Sequence, residues 1–463
     1  MSHEIPVWEQ RFRSPGVSFP HWARDAPDRL TFASNQSGAW QVYAWDRQTG
    51  TRRQVTDDPI GVSDGVTSPD GTGVIWFHDT TGDEVGQWMW EPFHGGAKRP
   101  LVSGVPDGWT SGLALSSEET IVIGVVDDEG YTVYVSPAGA EARILHRHDE
   151  VVEVAGISRD SKLLAVQHAE HGDNIHLAVR VLDLSNGSVA GEQWDGTGLG
   201  LSVAGWSPVP GDQRLALVHE REGLERPAIW DVRAGARRDL SFDLPGDLSV
   251  AGWWPDASAL LVCHEHEGRD QLFRLDLETE DLAPVEHPAG TIDGAAVRPD
   301  GEIWFQVTSG ANPPTVLSLK GDVVCAPDGD PPPGGAPYRS WHFDNDVGQR
   351  VHGFVVVPDG PGPFPTVMLV HGGPTWAYTD SFMSDVQAWV DHGFAVGLVN
   401  YRGSTGYGVA FRDALIGNPG LPEVADVVAG LDDLITHGVT DPARAVISGG
   451  SWGGYITLLA HGR

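Results

Sequence analysis

The chain has 463 residues, with 30 Lys plus Arg against 64 Asp plus Glu for a formal net charge of −34, together with 59 Gly, 33 Pro, 18 Trp and two Cys. At about 100–200 residues per domain this is two to four domains, and 40% apolar with 9% aromatic residues excludes a disordered chain. The acidic excess argues against nucleic acid and anionic lipid as partners, because both demand a basic face.

The first residues, Met1 to Arg11, hold no apolar run of signal-peptide length, and nowhere do about 18 apolar residues run together. Cys263 and Cys325 are too few for a disulfide framework. A cytoplasmic setting follows as the expectation.

A short apolar stretch closed by an acidic or polar residue then recurs: Val42-Tyr-Ala-Trp45-Asp46, Trp88-Met-Trp90-Glu91, Val133-Tyr-Val-Ser136, Val179-Arg-Val-Leu-Asp183, Ala228-Ile-Trp230-Asp231, Leu272-Phe-Arg-Leu-Asp276 and Val316-Leu-Ser-Leu-Lys320. The closing residues are 44 to 48 apart. Between copies lie turns that lead into β-rich runs, as in Ser68-Pro-Asp-Gly71 before Val74-Ile-Trp76-Phe and Pro299-Asp-Gly301 before Ile303-Trp304-Phe. A period of about 40–50 residues with several short strands per repeat predicts a β-propeller, here of seven blades over residues 21–325. The repeat tryptophans Trp45, Trp76, Trp90, Trp230 and Trp304 are read as blade core.

A Pro/Gly-rich stretch, residues 326–338, has linker composition. Beyond it the pattern changes to strand (351–357), strand (366–370), helix (382–392), strand (395–399), helix (424–435) and strand (445–448). Alternation of this kind predicts a parallel sheet with helices on both faces. Gly449-x-Ser451-x-Gly453 falls where the last strand turns into a helix, the setting of a nucleophile elbow. The flanking glycines let strand and helix backbones approach, and the peptide N–H of Trp452 faces the place where an oxyanion would develop.

A propeller followed by His371-Gly372-Gly373-Pro374, Asn400-Tyr-Arg-Gly-Ser-Thr-Gly-Tyr-Gly408 and Gly449-Gly-Ser-Trp-Gly-Gly-Tyr455 resembles the prolyl oligopeptidase family of serine peptidases, in its acylaminoacyl-peptidase and dipeptidyl-peptidase-like branches. The resemblance implies an α/β-hydrolase domain over residues 339–463 and an N-terminal segment, residues 1–20, packed on it. It implies Ser451 as the nucleophile and an oxyanion hole from the N–H groups of Trp452 and Gly373. His371, Gly372, Tyr401 and Arg402 stand on loops at the site, with His371 shaping its loop rather than acting as base. Short peptides are the expected substrates; no cofactor, metal, nucleic acid or membrane is expected, and an oligomer is left open.

Serine attack needs a base and a carboxylate that orients it. After Ser451 the chain holds no carboxylate side chain, and its one histidine, His461, lies about 15 Å along a helix. The 125 residues of 339–463 also fall short of the about 200–250 of a hydrolase domain. The expectation is therefore an incomplete α/β-hydrolase domain, C-terminally truncated and inactive as it stands, whose triad Asp and His lie outside this chain and whose last strand is an open apolar edge. Two other readings stay open: an esterase built on the same elbow, and a non-catalytic propeller that binds a partner. His264-Glu265-His266-Glu267 places two histidines on one strand face but shows no further ligand nearby in sequence, so a solvated strand end is expected there.

Overall fold

The computed structural model describes residues 5–79, 81–137 and 140–461. Seven four-stranded antiparallel sheets follow one another in strict chain order between His21 and Cys325. They are the blades of a propeller. The recurring apolar stretch of the sequence is the third strand of each blade, as in Gln41–Asp46, Ala178–Asp183 and Arg226–Asp231.

The second strands carry unbroken apolar runs because both of their faces are covered. In Gly73–Asp79, Val74 and Trp76 pack towards the first blade, whereas Ile75 packs towards the third. In Leu163–His168, Leu164 and Val166 face the third blade while Leu163 and Ala165 face the fifth. One apolar cluster fills each of the seven seams, including that between the last blade and the first.

Among the described residues no strand is exchanged at that last seam between the first and seventh sheets; packing closes it, together with hydrogen bonds from Gln306 Nε2 to Val17 O at 2.8 Å and from Arg298 Nη2 to Pro27 O at 3.1 Å. Trp304 is wholly buried there, edge-on to Trp22 at 5.8 Å, with the Arg298 guanidinium 4.2 Å from its ring centre. Trp45, Trp76 and Trp230 are buried as expected, and Trp90 is half-buried. The same turn precedes the second strands of blades two, four, six and seven: Gly71 N–H donates to Ser68 O, Ser161 to Ser158, Ala257 to Trp254 and Gly301 to Arg298. Its last residue has positive φ even where it is Ser161 (58°) or Ala257 (56°).

The C-terminal sheet has five strands in the order Arg339–Asp344, Arg350–Val356, Ala395–Val399, Phe364–Val370, Thr440–Gly449. Only the last three are parallel. The expected all-parallel sheet is corrected here: Arg339–Asp344 and Arg350–Val356 form an antiparallel hairpin, because a five-residue turn is too short for a parallel crossover. Helix Ser384–Asp391 covers one face over Phe354, Val367 and Leu398. Helices Leu421–Thr436 and Trp452–Ala460 cover the other over Val351, Met368 and Val370. Among the described residues Thr440–Gly449 is an outer strand, with Val446 51% exposed.

The sheet domain sits on the turns between second and third strands of blades four to seven. Val409 N–H donates to Gly223 O at 3.0 Å, Asp380 N–H to Gly268 O at 2.7 Å, and Gln387 Nε2 to Gly310 O at 2.9 Å. An ionic chain runs across the same boundary: Arg412 pairs with Glu220 and Asp413, and His176 bridges Asp413 (2.8 Å) and Asp173 (2.9 Å). The N-terminal helix Val7–Arg13 lies against Ser384–Asp391, its buried Arg11 paired with Asp391 and donating to Gly334 O. Residues 1–4 of that segment, and 462–463, lie outside the described residues.

Removing Trp304 is expected to cost about 3–5 kcal/mol in Trp304→Ala, read by denaturant unfolding, against less than about 0.5 kcal/mol for Val189→Ala on the exposed surface. At the domain boundary, burial opposes a charge on His176, but its hydrogen bonds to Asp413 and Asp173 outweigh this and hold its pKa above the usual histidine value. A raised pKa contributes stability that is full below about pH 6.5 and is lost as pH rises through the folded-state value. The Tm advantage of the wild type over His176→Asn should therefore shrink as pH is raised from 6 to 9.

Candidate active site

Ser451 stands between the end of Thr440–Gly449 and the first turn of Trp452–Ala460, with φ 52° and ψ −124°. A non-glycine residue rarely occupies that region, and it persists only where its surroundings over-determine it. The surroundings here are backbone. A Cβ on Gly453 would lie 2.0 Å from Val370 O, and one on Gly449 would lie 2.6 Å from both Gly453 O and Val370 O. Strand, neighbouring strand and helix thus meet at van der Waals contact without side chains between them, and Ser451 is left exposed at the turn.

Facing it is the loop that follows Phe364–Val370. A Cβ on Gly372 would touch Ser451 Cβ at 3.5 Å and come within 3.9 Å of its Oγ. Gly373 has φ 121°, a conformation that favours glycine. Among the described residues neither the N–H of Gly373 nor that of Trp452 has a hydrogen-bond partner. Two free donors at a helix N-terminus and its opposing loop are suited to a developing oxyanion.

His371 does not turn towards Ser451 as a base. It is buried, with Nδ1 donating to Gly372 O at 2.7 Å, Nε2 2.8 Å from Ser404 Oγ, and its ring stacked on Tyr401 at 4.1 Å. Burial drives its pKa down to about 4, so the imidazole is neutral near pH 7. Tyr401 is also fully buried, and its hydroxyl donates to His371 O at 2.8 Å. Together they brace the Gly372–Gly373 loop.

Arg402 faces elsewhere. Its guanidinium is committed to Asp426 and Asp346, each at 2.8 Å, and its N–H donates to Asp426 Oδ2 at 2.7 Å. It ties the loop to helix Leu421–Thr436 and to the hairpin turn, so of the loop residues expected at the site this one is structural. Among the described residues Ser451 Oγ makes no side-chain hydrogen bond. His461 is occupied at the far end of the helix, where Nδ1 donates to Thr457 O at 3.0 Å.

Two further residues belong to the site's frame. Glu423 is fully buried and accepts from Gly420 N–H at 2.7 Å and from Trp452 Nε1 at 3.2 Å. It fixes the side chain whose peptide N–H opens the elbow helix, and its three-residue spacing from Gly420 at a helix start was the legible signal. Trp376, 48% exposed and 5.5 Å from the His371 ring, stands on the same loop as Gly373 and offers an aromatic wall.

The elbow predicts a sharp steric asymmetry. Gly453→Ala should lose at least about 3 kcal/mol in denaturant unfolding because backbone cannot yield as a flexible side chain can, whereas Gly450→Ala, whose new methyl group would find nothing within 4 Å, should stay within about 0.5 kcal/mol.

Residues 380–463 match the family model described as prolyl oligopeptidase family. Over 93 residues the chain is 38% identical to acylamino-acid-releasing enzyme 1 of Oryza sativa subsp. japonica, covering 20% of this chain and 12% of that enzyme. Over 244 residues it is 25% identical to dipeptidyl-peptidase 5 of Schizosaccharomyces pombe, covering 49% and 35%. A solved puromycin-hydrolyzing peptidase of Mycobacterium tuberculosis shares its fold, with a TM-score of 0.78 at 20% identity over 99% of this chain and 77% of that one. The chain thus spans well under two thirds of the length of the curated relatives it matches.

Proposed function

We propose that the chain is a serine peptidase of the prolyl oligopeptidase family, whose model residues 380–463 match, acting on short peptides through an acyl-enzyme on Ser451. The observation that carries this reading is the positive-φ Ser451, exposed at a glycine-flanked elbow and faced by the Gly372–Gly373 loop. Ser451 Oγ forms a bond to the scissile carbonyl carbon while its proton passes to a base. The N–H groups of Trp452 and Gly373 hold the oxyanion, the amine leaves with a proton from that base, and water then releases the acyl group.

The base and its carboxylate are supplied by groups other than the described residues, since none of these reaches Ser451 Oγ. His371 and Tyr401 act through the oxyanion loop, and Glu423 through Trp452. The propeller, seated directly beneath the loop 400–413, limits access to short or unfolded chains. Cys263 and Cys325 are both free thiols. No helix among the described residues is long and apolar enough to cross a membrane.

Fluorophosphonate labelling tests the assignment. Label is expected on Ser451, absent in Ser451→Ala, and about 10²–10⁴-fold slower in residues 1–463 alone than in a longer form that carries the base. Undiminished labelling of Ser451→Ala would remove the nucleophile from this position. Turnover of a p-nitrophenyl ester with none of a peptide anilide would favour an esterase.

A further inference from the structure

The boundary between propeller and hydrolase sheet holds a second cluster of chemistry-bearing side chains, apart from Ser451. Glu267 comes from the turn between strands Ala259–His266 and Arg269–Asp276 of blade six. His342 and His352 are directly opposite each other on the hairpin Arg339–Asp344 and Arg350–Val356. One donor atom from each of the three lies within 4.8 Å of the other two. His342 Nε2 is 2.7 Å from Glu267 Oε1, and the two imidazole rings are 4.9 Å apart. They line a cavity of about 280 Å³ that His266 and Tyr407 also border.

An independent observation concerns His352 alone. The residue is 96% buried, its Nδ1 is 2.6 Å from the Tyr407 hydroxyl, and its Nε2 has no hydrogen-bond partner. Tyr407 in turn accepts from Asn400 Nδ2 at 2.7 Å, so the His352 ring is anchored through Nδ1 and Nε2 is left as its unpartnered nitrogen. A buried polar atom without a partner costs about 1–3 kcal/mol. A histidine oriented through one nitrogen, with the other unoccupied, is the arrangement that metal ligands show.

We propose that Glu267, His342 and His352 bind a divalent cation of the zinc class, one per chain, bridging blade six and the hydrolase sheet with its fourth position open to the cavity. Two imidazoles and a carboxylate form a nitrogen and oxygen set of borderline softness, which suits zinc better than calcium or magnesium. Around a tetrahedral ion the His342–Glu267 separation would open to about 3.3 Å, a shift of a few tenths of an ångström. Glu267 is held in place for this. A Cβ on the next residue, Gly268, would come 2.9 Å from the Phe354 ring, and Gly268 O accepts from Asp380 N–H. The nearest guanidinium on the same turn, Arg269, is already paired with Asp380 at 2.9 Å.

The contrast with the other histidine cluster sharpens the assignment. His168, His171 and Glu192 also gather within 4.8 Å, but Arg180 Nε donates to Glu192 Oε2 at 2.6 Å and its Nη1 to Glu170 at 2.6 Å. A guanidinium already occupies the cation's place there.

The test is equilibrium dialysis of the chelator-treated full chain against Zn²⁺, with elemental analysis and with Co²⁺ as a spectroscopic probe. The wild type should retain one metal per chain and give the visible absorption of tetrahedral Co²⁺. His352→Ala and the isosteric Glu267→Gln should each weaken binding by at least about tenfold, and Tyr407→Phe by about 10–100-fold through loss of the orienting hydrogen bond. His168→Ala should bind as the wild type does. Circular dichroism verifies folding of each variant, and Glu267→Gln, on a surface turn, carries the test should His352→Ala fail to fold. No retained metal, retention unchanged in Glu267→Gln and Tyr407→Phe, or loss in His168→Ala instead would each overturn the proposal.

Discussion

At the centre of the candidate site, backbone rests on backbone. Gly453 lies so close to Val370 O that no side chain could intervene, and Gly449 meets the same carbonyl from the other side. Contact at that distance fixes where the elbow helix begins relative to the strand Phe364–Val370, and the positive φ of Ser451 follows because the chain has no other way to turn. The loop 371–373 starts one residue beyond the same carbonyl, so nucleophile and oxyanion donors take their relative positions from a single packing event. His371, Tyr401 and Glu423 then stiffen what that event sets.

The domain boundary is organised differently, by charge and hydrogen bonds over turns rather than by close packing. Glu220, Arg412, Asp413, His176 and Asp173 alternate in sign across it, which leaves no one group to bear its desolvation alone. Nearby carboxylates have no such partners. Burial, joined by mutual repulsion, pushes Glu225 and Glu265 up to about 7 and Asp270 up to about 6. The formal charge of −34 therefore overstates the negative charge that blades five and six carry near the hydrolase sheet at neutral pH.

Much of this architecture was legible because it repeats. The third strand of each blade ends on or next to a polar residue, and the turn before the second strand of blades two, four, six and seven has positive φ at its last residue, so both leave a recurring mark. Seven marks at nearly constant spacing decide the blade count. The elbow was legible for a related reason: glycines at 449 and 453 record a steric demand at fixed offsets from Ser451. The hairpin Arg339–Asp344 and Arg350–Val356 was harder to read, since its antiparallel pairing depends on a short turn rather than on hydrophobic period. Arg402 looked like a site residue because its loop lies there, but Asp426 and Asp346, which claim it, are close to it only in space.

The histidine cluster at the boundary shows where local reading ends. His264-Glu265-His266-Glu267 raised the question of a metal, yet the two histidines that share a strand face are not the ones that gather. Alternation along a strand sends Glu265 into the propeller mouth, while the turn carries Glu267 out to the hydrolase hairpin, where His342 lies 75 positions further along the chain. His352 joins only because antiparallel register places it opposite His342. A ligand set assembled from a blade turn and a hairpin of another domain exists only once the two are docked. Its formation therefore reports docking itself, which makes the boundary a place where cation binding and the seating of the hydrolase sheet on blade six are thermodynamically linked.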